Sequence, residues 1–439
     1  MMKRQIAVVG LLLAAGMSFG ALPEVSNVVL KQGGDRKVSI SYTLANAPAI
    51  VTCEILTNGV PIGAVNLTNM TGAVNRQIDE PGDYTIAWDA LAAWPDHKVK
   101  NGGATAVVTA WPLDNPPDYM VIGLHGLNPV PEYYPCAEAI PGGLLTDRSY
   151  RTTKLVMKHI RAKFVPWIMG SWYEPGTDGV GKGTYERPFR VCMSNDYWIA
   201  VFETTQYQYH QMRKNETATF ASLPDADIRP MEHVEHGQAR GGSLPGEPST
   251  AGTYDATTDL YNGGSACGNM RKRTGLKFDL PTEAQWEFAC RGGYGEGYWG
   301  DGTPIALDAA NSTPASDCGM PGLCSTSVPA PTSTAVCGSY PPNGYGLYDM
   351  HGNVIEMVCE KREQYRFNMP EGPRYRGDLN WNGTTYLDGT TAGSSIWVFR
   401  GGSWRLPPKK CRAAFRQTDR NYTDDTAGFR LCLTIDNGY

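Results

Sequence analysis

Charged residues are scarce in this chain of 439 residues and make up 19% of it, whereas about a quarter is usual. No run of more than three consecutive lysines and arginines occurs, and the formal net charge is -5. Because contacts to phosphates need clustered cations, this composition argues against a nucleic acid as partner. The chain also lacks a Cys-x-x-Cys pair, and its 7 histidines are scattered. The sequence therefore gives no sign of a structural zinc site.

Long apolar runs are absent after the N-terminus, which argues against a transmembrane helix. At the N-terminus, Lys3 and Arg4 precede a short apolar stretch, and small residues follow at Ser18 and Gly20. This pattern predicts a secretory signal peptide over residues 1–21. We therefore expect a periplasmic, cell-surface or secreted protein with no transmembrane segment after cleavage. The 11 cysteines are then free to form disulfides, and their odd number leaves at least one outside an internal pair.

The 50 glycines and 31 prolines indicate a loop-rich protein. Over residues 22–112, short β-branched and aromatic runs alternate with turn signals, which predicts a β-sandwich of immunoglobulin or fibronectin type. Its predicted strands are Val38–Tyr42, Ile50–Leu56, Tyr84–Trp88 and Ala106–Trp111. Such a domain usually serves as a spacer or in adhesion. Residues 113–153 are expected to be a linker and an irregular segment. Prolines and acids cannot pack a core over Pro112–Asp118, and Met120–Leu124 is predicted to be a strand followed by loop.

Two helix starts carry a capping box, in which a threonine is followed three residues later by a glutamine. The first begins at Thr205 and the second at Thr282. The acids of the second helix are expected to be cap and surface groups. Another helix is predicted over Tyr254–Tyr261.

The segment from Trp397 to Leu433 combines apolar runs with glycines and arginines. Ile396–Phe399 predicts a strand, and the two glycines at 401 and 402 predict a bulge or a close approach of the backbone to another group. Over Cys411–Arg416, one set of alternate residues is apolar and the other set includes Arg412 and Arg416. This period of two predicts a half-buried strand.

Three segments resemble the formylglycine-generating enzyme family, also called sulfatase-modifying factors. They are Phe278–Gly293, Asn343–Met357 and the group RGGSW, CRAAFR and GFRL between Arg400 and Leu431. The resemblance implies an α+β fold with a complex, loop-rich, C-type-lectin-like domain, which we place at residues 154–437.

The resemblance also implies a copper(I) centre held by two cysteines, with which enzymes of the family oxidise a substrate cysteine to formylglycine. Cys411 matches the second cysteine, but Leu406 stands where the first is expected. An apolar side chain cannot bind copper, so we expect copper to be absent. Cys411 is then either a buried strand residue or a thiol made reactive by Arg412.

Ser403 matches the serine that lines the substrate groove in the family, so Cys411 and Ser403 are the candidate catalytic residues. Nearby arginines and a tryptophan would line a groove for a peptide or glycan, or would pair within a core. These candidate substrate-binding residues are Arg400, Trp404, Arg412 and Arg416.

Oxygen-bearing side chains are concentrated among glycines at Asn343, Asp349, Asn353 and Glu356. Calcium takes six to eight oxygen ligands, and the resemblance implies structural calcium near Asn343. The alternative is that asparagine turns and caps require these residues. Both interpretations stay open.

The sequence supports two candidate functions, which belong to different classes. The first is a binding module for a peptide, protein or glycan ligand, which Leu406 favours. The second is an oxygen-dependent oxidase that generates formylglycine on sulfatase cysteines, or a related tailoring oxidase, which Ser403 and Cys411 favour.

Overall fold

The computed structural model describes residues 21–33, 35–95, 97, 102–170, 189–214, 217–241, 251–293, 332–361, 396–407, 410–419 and 423–435. The predicted signal peptide lies almost wholly outside these residues. The first strands are β1 (Glu24–Gln32), β2 (Lys37–Ala45), β3 (Ala49–Thr57), β4 (Val60–Pro61), β5 (Met70–Gly72), β6 (Arg76–Ile78), β7 (Gly82–Asp89) and β8 (Ala104–Trp111), with α1 (Ala90–Ala93) between the last two.

The second part of the chain holds shorter strands and four further helices. Its elements are β9 (Tyr119–Gly123), β10 (Glu132–Tyr134), β11 (Lys154–Ile160), β12 (Pro166–Met169), β13 (Phe189–Cys192), β14 (Tyr197–Ala200), α2 (Gln206–Met212), α3 (His236–Ala239), β15 (Thr253–Asp255), β16 (Leu260–Asn262), α4 (Ala266–Thr274), β17 (Phe278–Asp279), α5 (Glu283–Arg291), β18 (Ile355–Lys361), β19 (Trp397–Arg400), β20 (Gln417–Asp419), β21 (Ala427–Gly428) and β22 (Cys432–Thr434). The described part is therefore rich in strands and poor in helix.

The first eight strands form two antiparallel sheets around one core. One sheet has the order β1-β2-β7-β5, and in the other β3 pairs with β4, β6 and β8. Side chains alternate along β2, where Ile40 and Tyr42 are buried and Ser39 and Ser41 are exposed, as a strand with one buried face requires. All four segments predicted as strands lie within β2, β3, β7 and β8.

A six-stranded sheet of order β10-β9-β11-β14-β22-β17 forms the centre of the second part. Both of its faces are buried. Met120 and Ile122 of β9 join one hydrophobic cluster, whereas Tyr119 and Val121 join another. A four-stranded sheet, β20-β19-β18-β21, lies beside it. In this sheet, β19 is followed directly by the two glycines at 401 and 402.

Both predicted capping boxes are confirmed. Thr205 caps α2 together with Gln208, and Thr282 caps α5 together with Gln285. In each box the threonine hydroxyl accepts from a main-chain N–H, and the glutamine side chain accepts from the threonine N–H.

Three predictions about local structure are wrong. Residues Tyr254–Tyr261 belong to the hairpin of β15 and β16, not to a helix. Residues 411–416 form turns, and β20 begins only at Gln417. The acids of α5 are not surface groups, because Glu283 and Glu287 are only 2% and 0% exposed.

The described cysteines are all free thiols; they number nine, and Cys318 and Cys324 lie outside the described residues. Within the described residues, no helix has both the length and the apolar character needed to cross a membrane.

Candidate functional site

The two glycines after β19 allow a close approach, as the sequence predicted. Gly401 and Gly402 have φ angles of 92° and 71°, a region that glycine enters without a steric cost. A Cβ atom at Gly402 would lie 2.5 Å from Sγ of Cys411, and one at Gly401 would lie 3.0 Å from the ring of Trp286. We call residues 401–407 the glycine turn. The absence of side chains here lets the turn pack directly against Cys411.

Cys411 is fully buried beneath the glycine turn. Its Sγ accepts a hydrogen bond from the main-chain N–H of Ser403, and it lies 3.8 Å from the carbonyl oxygen of Pro407. Burial raises the pKa of this thiol to about 12, so it is protonated at neutral pH. The hypothesis that Arg412 lowers the pKa of Cys411 is therefore wrong. The reactive form of cysteine is the thiolate, which this site disfavours.

Ser403 and Leu406 are the other two residues of interest in the turn. Ser403 is fully buried, and its Oγ has no hydrogen-bond partner among the described residues. Leu406 is partly buried and packs against the main hydrophobic cluster. The site that would hold the first copper ligand is thus occupied by an apolar contact with the core.

Two of the predicted substrate-binding arginines belong to a buried network of ion pairs. Nη2 of Arg400 lies 2.8 Å from a carboxylate oxygen of Glu283 and 2.8 Å from one of Glu287. Arg416 donates to both carboxylate oxygens of Glu283, and Arg291 pairs with Glu287. We call Glu283, Glu287, Arg291, Arg400 and Arg416 the arginine–glutamate network. It joins α5 to the chain on both sides of the glycine turn.

The other two predicted substrate-binding residues are also buried. Arg412 is 3% exposed and Trp404 is 7% exposed. The indole N–H of Trp404 donates to the carbonyl oxygen of Asp425 over 3.1 Å. The guanidinium of Arg405 stacks over the Trp404 ring at 4.7 Å, and this side chain is 52% exposed. The accessible group at the glycine turn is therefore Arg405, which the sequence analysis did not single out.

All four predicted calcium ligands have hydrogen-bond partners, which for Asp349 is the N–H of Gly338 at Oδ2. Oδ1 of Asn343 accepts from two main-chain N–H groups of its own loop, while its amide donates to the end of α5. Both Oε atoms of Glu356 accept from Arg430, at 2.7 Å each. Asn353 donates to Glu203 over 2.6 Å. Only Asp349 keeps a buried oxygen, Oδ1, without a partner among the described residues.

Asp349 belongs to a buried cluster that the sequence analysis missed. Glu203, Cys337 and Asp349 are 0%, 0% and 2% exposed. Each offers one ligand atom, and these atoms all lie within 4.8 Å of one another. We call these three residues the Glu203 cluster. Sequence spacing gave no signal for it, because Glu203 lies more than a hundred residues before Cys337 and Asp349.

The carboxylates of this cluster influence each other's protonation. Burial, together with the charges of Asp349 and Glu356, raises the pKa of Glu203. Burial also raises the pKa of Asp349, to about 6. Burial and the neighbouring carboxylates likewise raise the pKa of the Cys337 thiol. In each of the three groups, burial therefore favours the neutral, protonated form.

Comparison with known proteins places this chain in a family. A profile of the sulfatase-modifying factor enzyme 1-like domain matches residues 167–435, more than half of the chain. The formylglycine-generating enzyme of Mus musculus is 34% identical over 120 residues, which cover 25% of this chain and 30% of that protein. The serine/threonine-protein kinase pkn1 of Chlamydia pneumoniae is 32% identical over 165 residues, which cover 36% of this chain and 21% of the kinase.

Among solved structures, Treponema denticola variable protein 1 is similar, with a TM-score of 0.43 and 23% identity. The alignment covers 64% of this chain and 95% of that protein. The chain spans less than a third of the length of the two curated relatives named above. The match over the second part of the chain shows that this protein belongs to the sulfatase-modifying factor family.

Proposed function

We propose that the sulfatase-modifying factor domain of this protein is a non-catalytic binding module for a peptide or glycan. The observation that carries this proposal is Leu406, which stands at the first copper position and packs into the core. A soft metal such as copper(I) prefers sulfur ligands. One buried thiol at Cys411 does not supply the pair of thiolates that the oxidase chemistry of the family requires.

The surface next to the glycine turn supplies groups for recognition. Arg405 is exposed and stacks on Trp404, and its Nη2 also pairs with Asp425 over 2.5 Å. Phe220 also packs against the Trp404 ring in a T-shaped arrangement, at 5.8 Å between centroids. Because the Trp404 ring is buried, the group offered to a ligand is the guanidinium of Arg405, a charged donor with a flat face whose orientation the ring fixes. Such a combination suits a peptide carboxylate or the polar face of a sugar.

A second candidate is the oxygen-dependent oxidase. It is favoured by Ser403, whose buried Oγ has no partner within the described residues and which lies in the same turn that covers Cys411. An unpartnered buried hydroxyl is costly to maintain, and a bound reactant would offset that cost.

Titration of the reduced protein with copper(I) separates the two candidates. The binding module is expected to take up copper(I) no more tightly than a Cys411→Ser variant. Cys290→Ser is the matched control, since Cys290 is another fully buried free thiol. Stoichiometric, tight copper binding that disappears only in Cys411→Ser would establish the oxidase instead.

A peptide and glycan array tests the binding function directly. Hits on the wild-type chain are expected to weaken in Arg405→Ala and to persist in Arg148→Ala. Arg148 is a suitable control because its side chain is 49% exposed and pairs with two aspartates elsewhere on the surface. An array without a hit above background would count against the binding module.

We also propose that the protein is exported, and that its N-terminal sheets form an immunoglobulin- or fibronectin-type sandwich that displays the binding domain. The support is the sequence pattern of residues 1–21 and the two antiparallel sheets that share one core. The mass of the mature protein, measured after expression of the full chain, tests whether residues 1–21 are cleaved off. A structural calcium ion at Asn343, Asp349, Asn353 and Glu356 stays a prediction.

A further inference from the structure

We infer that an exposed apolar patch, formed by β12 and the turn before it, docks onto the surface of an anionic lipid membrane. We call Phe164, Val165, Pro166 and Ile168 the Phe164 patch. The inference goes beyond the proposed binding function and uses none of the residues around Arg405. It rests on three observations: the exposure of these apolar side chains, the rigid turn that presents them, and the cations beside them.

The Phe164 patch places several large apolar side chains in solvent within a short segment. Phe164, Val165 and Ile168 are 66%, 40% and 48% exposed, and Pro166 is exposed as well. Along β12 the intervening Trp167 packs against the core instead, so this strand has one face in the protein and one in water. Single exposed apolar residues are common, whereas contiguous ones mark an interaction surface.

The turn that carries Phe164 is held rigidly in a conformation that this residue disfavours. Phe164 has a φ angle of 59°, which is costly for a bulky side chain. Oδ1 of Asp196 accepts from the N–H groups of Ala162 and Lys163, over 2.8 Å and 2.7 Å. The N–H of Phe164 donates to the carbonyl oxygen of Met193 over 2.8 Å. The fold thus keeps an aromatic ring in solvent at a strained position, and such strain is characteristic of residues that contact a ligand.

Cations border the patch. Nζ of Lys163 lies 5.5 Å from the centroid of the Phe164 ring. Arg190 of β13 is exposed and lies directly opposite Ile168 in the pairing of β12 with β13, and side chains in such a pair share one face of the sheet. Basic side chains beside apolar ones suit the boundary of a bilayer, because the apolar groups reach the acyl chains while the cations stay at the phosphate groups.

The charge of the patch favours a lipid surface over a second copy of this chain. In a symmetric dimer the same surface lies on both sides of the interface, so Lys163 and Arg190 would face a surface with the same cations, which costs free energy. The carboxylate of Asp118 does not offset this charge, because Lys158 and Arg161 both donate to it. An anionic membrane offers phosphate groups across its whole surface and therefore complements the patch.

Vesicle flotation of the full chain tests the inference. The anionic vesicles contain phosphatidylglycerol and phosphatidylcholine in equal parts, and the neutral vesicles contain phosphatidylcholine alone. Every variant carries the same N-terminus, so residues 1–21 contribute equally in all arms. The wild type is expected to bind the anionic vesicles at least about five-fold more tightly than the neutral ones, and added salt should reduce the difference.

Two apolar replacements test the Phe164 patch itself. Phe164→Asn suits the left-handed backbone, so it should melt no lower than the wild type and yet bind the anionic vesicles at least about ten-fold more weakly. Ile168→Thr keeps a β-branched residue in β12 and should weaken binding about five-fold. Val60→Thr is the matched control, since Val60 is 64% exposed in β4, and it should bind like the wild type.

A charge replacement tests the cations. Arg190→Gln is expected to weaken binding to the anionic vesicles about five-fold and to leave binding to the neutral ones unchanged. Arg148→Gln changes the net charge equally at an exposed side chain elsewhere and should bind like the wild type.

Three results would overturn the inference. The first is a folded wild-type chain that does not bind the anionic vesicles. The second is equal binding by the wild type, Phe164→Asn and Ile168→Thr. The third is a wild-type dimer in sedimentation that Phe164→Asn dissociates, without vesicle binding, since the patch would then join two copies of this chain.

Discussion

Arg400 is expected to stabilise the fold and not to bind substrate, and a single replacement can distinguish the two roles. Arg400→Met keeps most of the side-chain volume but removes the cation that lies 2.8 Å from both Glu283 and Glu287. Breaking a buried ion pair from one side costs about 3–5 kcal/mol, because the remaining charge stays buried. For a domain of this size, that loss lowers the melting temperature by about 10 °C.

The assay is thermal unfolding of the full chain, followed by near-ultraviolet circular dichroism. Arg405→Met is the matched control, because that side chain is 52% exposed and its pairs with Asp424 and Asp425 lie at the surface. Exposed pairs contribute about 1 kcal/mol or less, so the control should melt within about 4 °C of the wild type. The reasoning would be refuted if Arg400→Met melted like the wild type and yet lost its ligand.

Three further predictions concern a glycine, a helix cap and an aspartate. Gly402→Ala should lower the free energy of unfolding by about 2 kcal/mol or more, because the new Cβ meets Sγ of Cys411 at 2.5 Å. Gly275→Ala is the control, because its φ is 73° but no atom lies within 4 Å of the new Cβ. It should lower the free energy of unfolding by only about 1 kcal/mol. Equal costs in urea unfolding would contradict the close approach. Thr282→Ala should cost about 1 kcal/mol and Thr282→Ser much less, since serine restores the cap of α5; equal losses in the same assay would disprove the cap. Burial acts to raise the pKa of Asp259, but hydrogen bonds from Tyr254, Gly126 and His125 and the charge of Arg273 hold it at about 2. Its stabilising contribution is therefore full above about pH 4 and is lost as the pH falls toward about 2. Melting temperatures across this range should fall less steeply in Asp259→Asn, and parallel curves would exclude the effect.

Local features were predictable where neighbouring residues alone decide the conformation. Thr282 and Gln285 lie three residues apart and form their box without help from the rest of the chain, so α5 was predicted correctly. The burial of Glu283 was not predictable in this way. Its partners, Arg400 and Arg416, lie more than a hundred residues later in the chain, and no local pattern indicates that they pair.

Two further differences from expectation have separate causes. Tyr254–Tyr261 has no strong local signal, and cross-strand pairing in the β15–β16 hairpin overrides the weak helical pattern. The Glu203 cluster joins Glu203 to Cys337 and Asp349 across more than a hundred residues. Metal motifs recognised from sequence depend on short, fixed spacings, and this cluster has none.

The position of β22 within the six-stranded sheet affects how the protein folds. This strand lies between β14 and β17, although more than two hundred residues separate Ile199 from its pairing partner Cys432. During synthesis, β14 and β17 therefore emerge long before the strand that joins them. Contacts between such distant residues slow folding, and unpaired strand edges invite association with other chains in the meantime. The nascent chain would thus benefit from a chaperone until its final strand arrives.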